Sequence, residues 1–588
     1  MSCVCCNVNM FTMELQYSPQ LLRASTIVAT LGVVVVLSLV LKLVKHRCKT
    51  ARFQRQGLPM HPHSFLFGHS NLVARIVRMW PQKFYAHYLT LEVKRRFPML
   101  PPIFYLGLWP ADPPQPVGRT VTGASLIAQH EPQLLKRKGV LSFLQPLIGK
   151  YNLVTMEGDD LQYWRGIFNP NFSVAYLVTQ VPGIVENTML LCEILEERAG
   201  GKVFSLFETM SQLTMDMSCL AMLGSRLSTQ RENCDLVAAF RSQARWIPLS
   251  NEQSIFTKLN SFRYIVLHYN RWRMDRQLSR ELDSHFAMHI QGQGGQPGHV
   301  KRSDAIIDLV IKTYLSDKRT SISEKRKGKP TSPQLRSHTD EMIPAVMDAR
   351  FKKFTISYMK LFLFAGYDTT ASTAVYAIHF LSSHPHCLQR ARDEHDAVLG
   401  TVLARATTAA RISYLPQILN RLVYTSAVIK ETLRLYPSVS STRQSATDFA
   451  LLGETRGQAF ETGDFVQCGV HQAIPREPEH WPSPDSFIPE RWLVGAGHAL
   501  SPPNKEVWRP FGQGSRNCIG QELAVLEVTV ILAMVLRSFD FKDAYAEYNM
   551  QTGRTGPTEV LRDRAYLISL GSSRPDKGCP CKVTKRAG

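Results

Sequence analysis

FGQGSRNCIG, residues 511–520, places Cys518 among Gly512, Gly514 and Gly520, with Arg516 just before it and Phe511 upstream. The chain has 12 cysteines, and no other is packaged this way. Glycines let backbone come close to whatever the sulfur meets. The following run, QELAVLEVTVILAMVLRSF, reads as a helix. Cys518 therefore sits where unpaired N–H groups and the positive end of a helix dipole favour an anionic sulfur. No second cysteine or histidine stands at zinc-ligand spacing. A Cys–His hydrolase stays open but gives Phe511 no purpose. A single thiolate ligand to haem iron accounts for every feature.

The rest of the composition bounds the protein class. At 588 residues the chain is long enough for several average domains or for one large domain with appendages. Its net charge of +21 asks for an anionic partner. No nucleic-acid motif is present, so a membrane and an acidic protein lead and nucleic acid is not expected. The cysteines are scattered without a paired ladder and read as reduced thiols. Two terminal groups, Cys3/Cys5/Cys6 and Cys579/Cys581, are candidates for lipidation or metal binding.

STIVATLGVVVVLSLVLKLV, residues 25–44, is an almost unbroken apolar run. About 20 helical residues cover a hydrocarbon core of ~30 Å. A basic flank, KHRCKTARFQRQ, follows it, which puts the bulk of the chain on the cytoplasmic side. A cleaved signal peptide fits poorly, because no basic region precedes the run and no small-residue cleavage site follows. The reading is residues 1–24 as a short lumenal N-terminus, 25–44 as a single transmembrane anchor and 45–70 as a basic, proline-rich hinge. The main domain follows over 71–575, and 576–588 reads as a basic tail. Within the domain, 291–304 and 316–342 are polar and rich in Gly, Pro or basic residues, and are expected to be exposed loops.

The chemistry gathers in the second half. FKKFTISYMKLFLFAGYDTTASTAVYAIHFLSS, residues 351–383, predicts one long buried helix. Its centre sets Ala365 and Gly366 beside Asp368, Thr369 and Thr370. A buried carboxylate is costly unless paired or functional. Threonine can also bond back to the i−4 carbonyl and distort a helix. The expectation is a distorted helix centre where an acid and an alcohol relay protons; the bland alternative is a polar notch in a core helix. Farther on, Glu431 and Arg434 stand at i and i+3, close enough to pair. If Arg491 or Glu490 of HWPSPDSFIPERWL reached that pair, a buried ion network would pin a loop-rich region.

Taken together, Phe511, Gly514, Arg516, Cys518 and Gly520 resemble the haem-binding signature of cytochrome P450 monooxygenases. AGYDTT, ETLR and PERW resemble further signatures of that family in its own order, and the anchor with its hinge is similar to those of microsomal members. The resemblance covers roughly residues 50–575. It implies a mainly α fold with small β-sheets, haem lying between the long central helix and the cysteine loop, and Cys518 as axial ligand to haem b. It further implies Asp368 and Thr369 as the proton-delivering pair, and Glu431, Arg434 and Arg491 as a structural triad. Arg516, Arg443 and Arg165 would meet the haem propionates, and Phe511 would pack by the thiolate. Leu161 stands where the family often has tryptophan, with Trp164 beside Arg165, and Pro475 stands where a histidine is common.

YNLVTMEGDDLQYWRGIFNPNFS, residues 151–173, looks most like fungal secondary-metabolite members. The function this implies is oxidation of a hydrophobic polyketide or terpenoid intermediate by O2, in a mycotoxin-type pathway. NADPH electrons would arrive through NADPH–cytochrome P450 reductase at the endoplasmic reticulum membrane, with the catalytic domain cytoplasmic and held to the lipid bilayer. Two rivals keep the haem: a reductase-independent isomerase or peroxygenase, and a non-catalytic haem protein. The intact Asp368–Thr369 pair speaks against both.

Overall fold

Helix α1 (Pro19–Arg55) is the first described element of the computed structural model; its apolar run is exposed, whereas His46, Thr50 and Phe53 near its end are buried against the body. The structure describes residues 19–109, 115–118, 134–136, 144–247, 261–291, 305–327 and 346–586, with gaps of one to six residues inside the first and last spans. Residues 26–55 are long and apolar enough to cross a membrane, by length and composition. The helix does not stop at the end of the apolar run. The basic flank KHRCKTARFQR continues it to Arg55, because no residue in it breaks a helix. Gly57, at φ 75°, then reverses the chain ahead of Pro59.

The body is mainly helical. Besides α1, five helices position the site: α2 (Gly158–Phe168), α3 (Leu206–Leu223), α4 (Ala349–Ser383), α5 (Val423–Leu435) and α6 (Gln521–Ser538). Helix α4 runs through the core and packs along α3, with α5 and α6 against its other sides. Its apolar residues face all round, including the fully buried Met359, Leu363, Ala371, Ala374 and Val375, as a helix surrounded by protein requires. Asp348 caps it, its carboxylate accepting from the Arg350 and Phe351 N–H groups at 2.7 and 3.3 Å.

The helix–helix approach at the centre of α4 depends on one small residue. A Cβ on Gly366 would lie 2.4 Å from the Ser218 hydroxyl oxygen of α3. The Thr214 hydroxyl of α3 donates to the Tyr367 carbonyl at 2.6 Å, one residue away.

Small antiparallel sheets complete the fold, as the resemblance implies. One pairs β1 (Ile103–Leu106) with β2 (Gln115–Gly118), and another joins β3 (Leu134–Lys136), β5 (Arg443–Ser445) and β8 (Val466–Gln467). Strands β6 (Ala450–Leu452) and β7 (Ala459–Glu461) form a pair, as do β10 (Leu567–Leu570) and β11 (Ser572–Pro575). The last sheet has the order β4 (Phe204–Ser205), β12 (Pro580–Lys585), β9 (Phe539–Asp543).

That last sheet corrects the sequence reading. Residues 576–588 are not simply a basic tail: β12 is the middle strand, with Cys581 and Val583 buried on one face while Lys582 and Thr584 take the other. Cys579 and Cys581 are buried, so they are unavailable for lipidation; Cys3, Cys5 and Cys6 lie outside the described residues. The expected loop at 316–342 also changes, because a helix, Ile306–Lys327, continues through its first part. SDKRTSISEKRK holds neither glycine nor proline, so nothing stops the helix before Gly328. The remainder, with most of 291–304, lies outside the described residues.

Candidate active site

Phe511–Gly520 folds as a closed loop ahead of α6. The Cys518 N–H donates to the Phe511 carbonyl at 2.8 Å, and Asn517 N–H to the Gly514 carbonyl at 3.2 Å. Gly512 and Gly514 take φ of 71° and 76°, the left-handed region where a side chain is strained. Two arginines, one on α2 and one in the loop itself, anchor it to its surroundings. Arg165 of α2 donates to the Ser515 carbonyl at 2.8 Å and the Asn517 carbonyl at 3.0 Å, and it also bonds the Asn517 side chain. Arg516 donates to the Met156 carbonyl at 2.6 Å.

The loop forms one wall of a cavity of about 350 Å³. The opposite wall is α4, through Leu361, Phe362, Ala365, Gly366, Thr369, Thr370 and Thr373. Cys518 opens onto this space. The protein around its sulfur desolvates a thiolate and pushes the thiol pKa up, while the Gly520 N–H and the positive charge of Arg165 pull it down. Among the described residues that line the cavity, Cys518 is the only cysteine and there is no histidine. Among the described residues no group of three or more His, Cys, Asp or Glu is arranged to hold a metal ion by itself. The donor set suits a large, flat, mostly apolar group that carries its own metal, takes one sulfur ligand and meets Arg165 and Arg516 with anionic edges. Phe511 and Gly520 also line the cavity, whereas Gly514 shapes the loop from outside it. Arg443 is placed on β5, and its side chain lies outside what the structure describes.

Asp368 and Thr369 are adjacent in sequence but face different ways. Thr369 lines the cavity, its hydroxyl donating to the Ala365 carbonyl at 2.7 Å. This is the expected i−4 bond, yet α4 stays an unbroken α-helix through 365–370. Asp368 is buried against β11, where Oδ2 accepts from the Ser572 hydroxyl and Oδ1 has no hydrogen-bond partner among the described residues. Burial pushes its pKa above the usual carboxylate range, against the opposing pull of Arg574 and Ser572.

The acid that does line the cavity is Glu527 of α6, which the sequence reading passed over. It is buried, and burial pushes its pKa up to about 8, opposed by a bond to the Thr370 hydroxyl. Its only sequence signal was one carboxylate inside the apolar run AVLEVTVILAMVL.

Below the cavity, Glu431, Arg434 and Arg491 meet as a fully buried cluster. Arg434 grips Glu431 with two nitrogens, at 2.9 and 2.8 Å, and Arg491 Nε reaches the same carboxylate at 3.0 Å. The Trp492 indole and the Ile488 N–H donate to it as well, each at 3.0 Å. Arg434 also donates to the carbonyls of Pro475, Pro484 and Ser486, so the proline-punctuated segment hangs on one guanidinium. Glu490 faces elsewhere, accepting from Arg390 at 3.1 Å and Tyr424 at 3.0 Å. Trp164 leaves Arg165 to the cavity and stacks on Phe354 of α4, with ring centroids 4.8 Å apart.

Comparison with known proteins shows the family and the fold. The family model described as Cytochrome P450 matches residues 123–554. The cytochrome P450 monooxygenase polC of Polytolypa hystricis is 35% identical over 92% of this chain and 92% of its own. The monooxygenase acrF of Aspergillus aculeatus is 30% identical over 78% of this chain and 89% of its own. Among solved structures, the cytochrome P450DA haem domain superposes with a TM-score of 0.62 at 17% identity, covering 90% of this chain and 97% of that one.

Proposed function

The chain belongs to the cytochrome P450 family as a monooxygenase, and on that premise we propose that it oxidises an apolar secondary-metabolite intermediate at the endoplasmic reticulum membrane. The family implies a haem–thiolate cofactor, dioxygen and a redox partner. We take the partner to be NADPH–cytochrome P450 reductase, and the substrate to be a polyketide or terpenoid. The observation that carries the reading is that Cys518, Arg165, Arg516 and Thr369 all line one largely apolar cavity.

Haem, when bound, supplies dioxygen activation at its iron. The residues of this chain then have separate tasks. Cys518 is the ligand, its negative charge shared with the Gly520 N–H and Arg165. Arg165 and Arg516, which line the cavity, would pair the acidic edge of the cofactor, the task the sequence resemblance also gives Arg443. The Thr369 hydroxyl lines the cavity and would deliver a proton there on leaving its bond to the Ala365 carbonyl, whereas Asp368, buried with Ser572 against β11, would have to turn towards the cavity to share that task. Leu361, Phe362 and Val439 exclude water and favour an apolar substrate. Helix α1 holds the body to the bilayer.

The test is reconstitution in vesicles with the reductase, NADPH and extracts of a deletion strain. A new oxygenated product that requires reductase and NADPH together is the expected result. Product formed without reductase, from peroxide or with no oxidant, would overturn the monooxygenase assignment.

A further inference from the structure

The cavity wall opposite Cys518 is apolar for much of its length, but two hydroxyls stand together on it. Thr373 of α4 and Ser438, just past α5, both line the cavity and are 7% and 6% exposed. Their positions are fixed from behind. The Ser573 N–H of β11 donates to the Ser438 carbonyl at 2.9 Å, and the Ser372 hydroxyl of α4 donates to the Ser573 carbonyl at 3.0 Å. Helix, strand and connecting chain are thus bonded into one unit, and Ser438 cannot drift from Thr373 without breaking it.

The protons of both hydroxyls are already committed. Thr373 Oγ1 donates to the Thr369 carbonyl at 2.9 Å, and Ser438 Oγ donates to the same carbonyl at 3.2 Å. The two hydroxyl oxygens are 3.4 Å apart, so for each the carbonyl is the nearer acceptor. A hydroxyl has one proton and two lone pairs. With both protons turned into α4, the pair shows the cavity lone pairs alone. A group meeting it from the cavity must therefore bring the proton. An alcohol does so; a ketone, an aldehyde or an ether does not. An ammonium ion would bring protons too, but burying its charge against two neutral oxygens is costly.

We propose that Ser438 and Thr373 form a hydroxyl-accepting subsite, and that the substrate is an apolar molecule already carrying an alcohol. The proposal deepens the reading of this cavity as the site of an apolar secondary metabolite and rests on it. A substrate hydroxyl seated at the pair lies about one helical turn, ~5.4 Å along α4, from the Thr369 hydroxyl. The alcohol is therefore an anchor, and a different carbon of the substrate is presented for oxidation. A ligand of the same shape without the alcohol leaves buried acceptors unpaired and binds less well. The reaction that supplies this substrate must leave a free hydroxyl, as an earlier oxygenation or a cyclisation ended by water does.

The test uses the full-length haem protein in vesicles and three probes of one skeleton: farnesol, farnesyl methyl ether and farnesal. Affinity is read from the shift of the haem Soret band on binding, corrected for partition of each probe into protein-free vesicles. Wild type should bind farnesol about tenfold more tightly than either of the others. Ser438→Ala and Thr373→Val should each lower that preference, and the double variant should abolish it while still binding the ether as wild type does. Equal affinities for the three probes in wild type, or a preference for farnesal, would overturn the subsite and leave the apolar-substrate reading standing. A preference for farnesol that persists in both single variants would overturn the assignment to Ser438 and Thr373. No spectral shift with any probe would overturn the apolar-substrate reading and the subsite with it.

Discussion

Arg491 Nε lies 3.0 Å from Glu431 Oε1, both side chains fully buried, although 60 residues separate them. This contact joins α5 to the PERW turn, and Arg434 ties both to the proline-rich strand of chain between them. A buried ion pair gives little net stability over an apolar replacement, but removing one partner strands a charge. Glu431→Ala leaves two guanidinium groups without their carboxylate and is expected to cost about 3–5 kcal/mol. The expected outcome is protein that fails to retain haem, measured as haem content per chain after expression. Glu490→Ala is the control: it loses only partly exposed contacts and should keep haem.

Thr369 and Asp368 are expected to separate experimentally, because only the first lines the cavity. Thr369→Ala removes the hydroxyl inside it. Product formed per NADPH should fall on the order of tenfold or more while the fold persists. Asp368→Ala removes the acceptor for Ser572 and should also lower stability by about 1–3 kcal/mol, seen as a lower Tm. Unchanged coupling in Thr369→Ala would remove the proton-delivery role.

Glu527 gives a pH prediction with a definite sign. Its folded pKa of about 8 lies above its ordinary value of 4.5, so the folded state binds more protons between them. Stability contributed at this position is therefore full below pH ~4.5 and falls as pH rises towards 8, by on the order of 4–5 kcal/mol in total. Glu527→Gln keeps an acceptor for the Thr370 hydroxyl and cannot ionise. Its Tm relative to wild type should rise from pH 5 to pH 8; a difference independent of pH would contradict the assignment.

Gly366 and Ser218 should behave as a coupled pair. Gly366→Ala drives a methyl against the Ser218 hydroxyl oxygen, with about 1–3 kcal/mol of overpacking expected. Ser218 Cβ would sit at 3.4 Å, an ordinary contact, so adding Ser218→Ala should recover most of that loss. Thermal unfolding of the double-mutant cycle measures it; an additive result would show that the hydroxyl is not the obstacle.

The parts legible in the sequence were those written in contiguous residues. The loop around Cys518 announced itself by glycine spacing, and α4 by an apolar run of helical length. What stayed hidden depended on direction or on distant partners. Asp368 and Thr369 are neighbours, and only the packing of α4 against β11 turns one away from the cavity. The Arg491–Glu431 contact needed the chain between them to fold back. Residues 576–588 looked like a tail because their lysines and Arg586 dominate the composition, while Cys581 and Val583 supply the alternation that seats β12. Glu527 was passed over as one acid in an apolar helix, although a carboxylate in that setting is itself a signal.

The central claim is that Cys518 is the thiolate ligand of haem. The most direct measurement is the absorbance spectrum of the reduced carbon monoxide complex of wild type and Cys518→Ser. Wild type should show the red-shifted Soret band of thiolate-ligated haem, and the variant should lose that band. A variant that retains it, or a haem-loaded wild type that never shows it, would contradict the account.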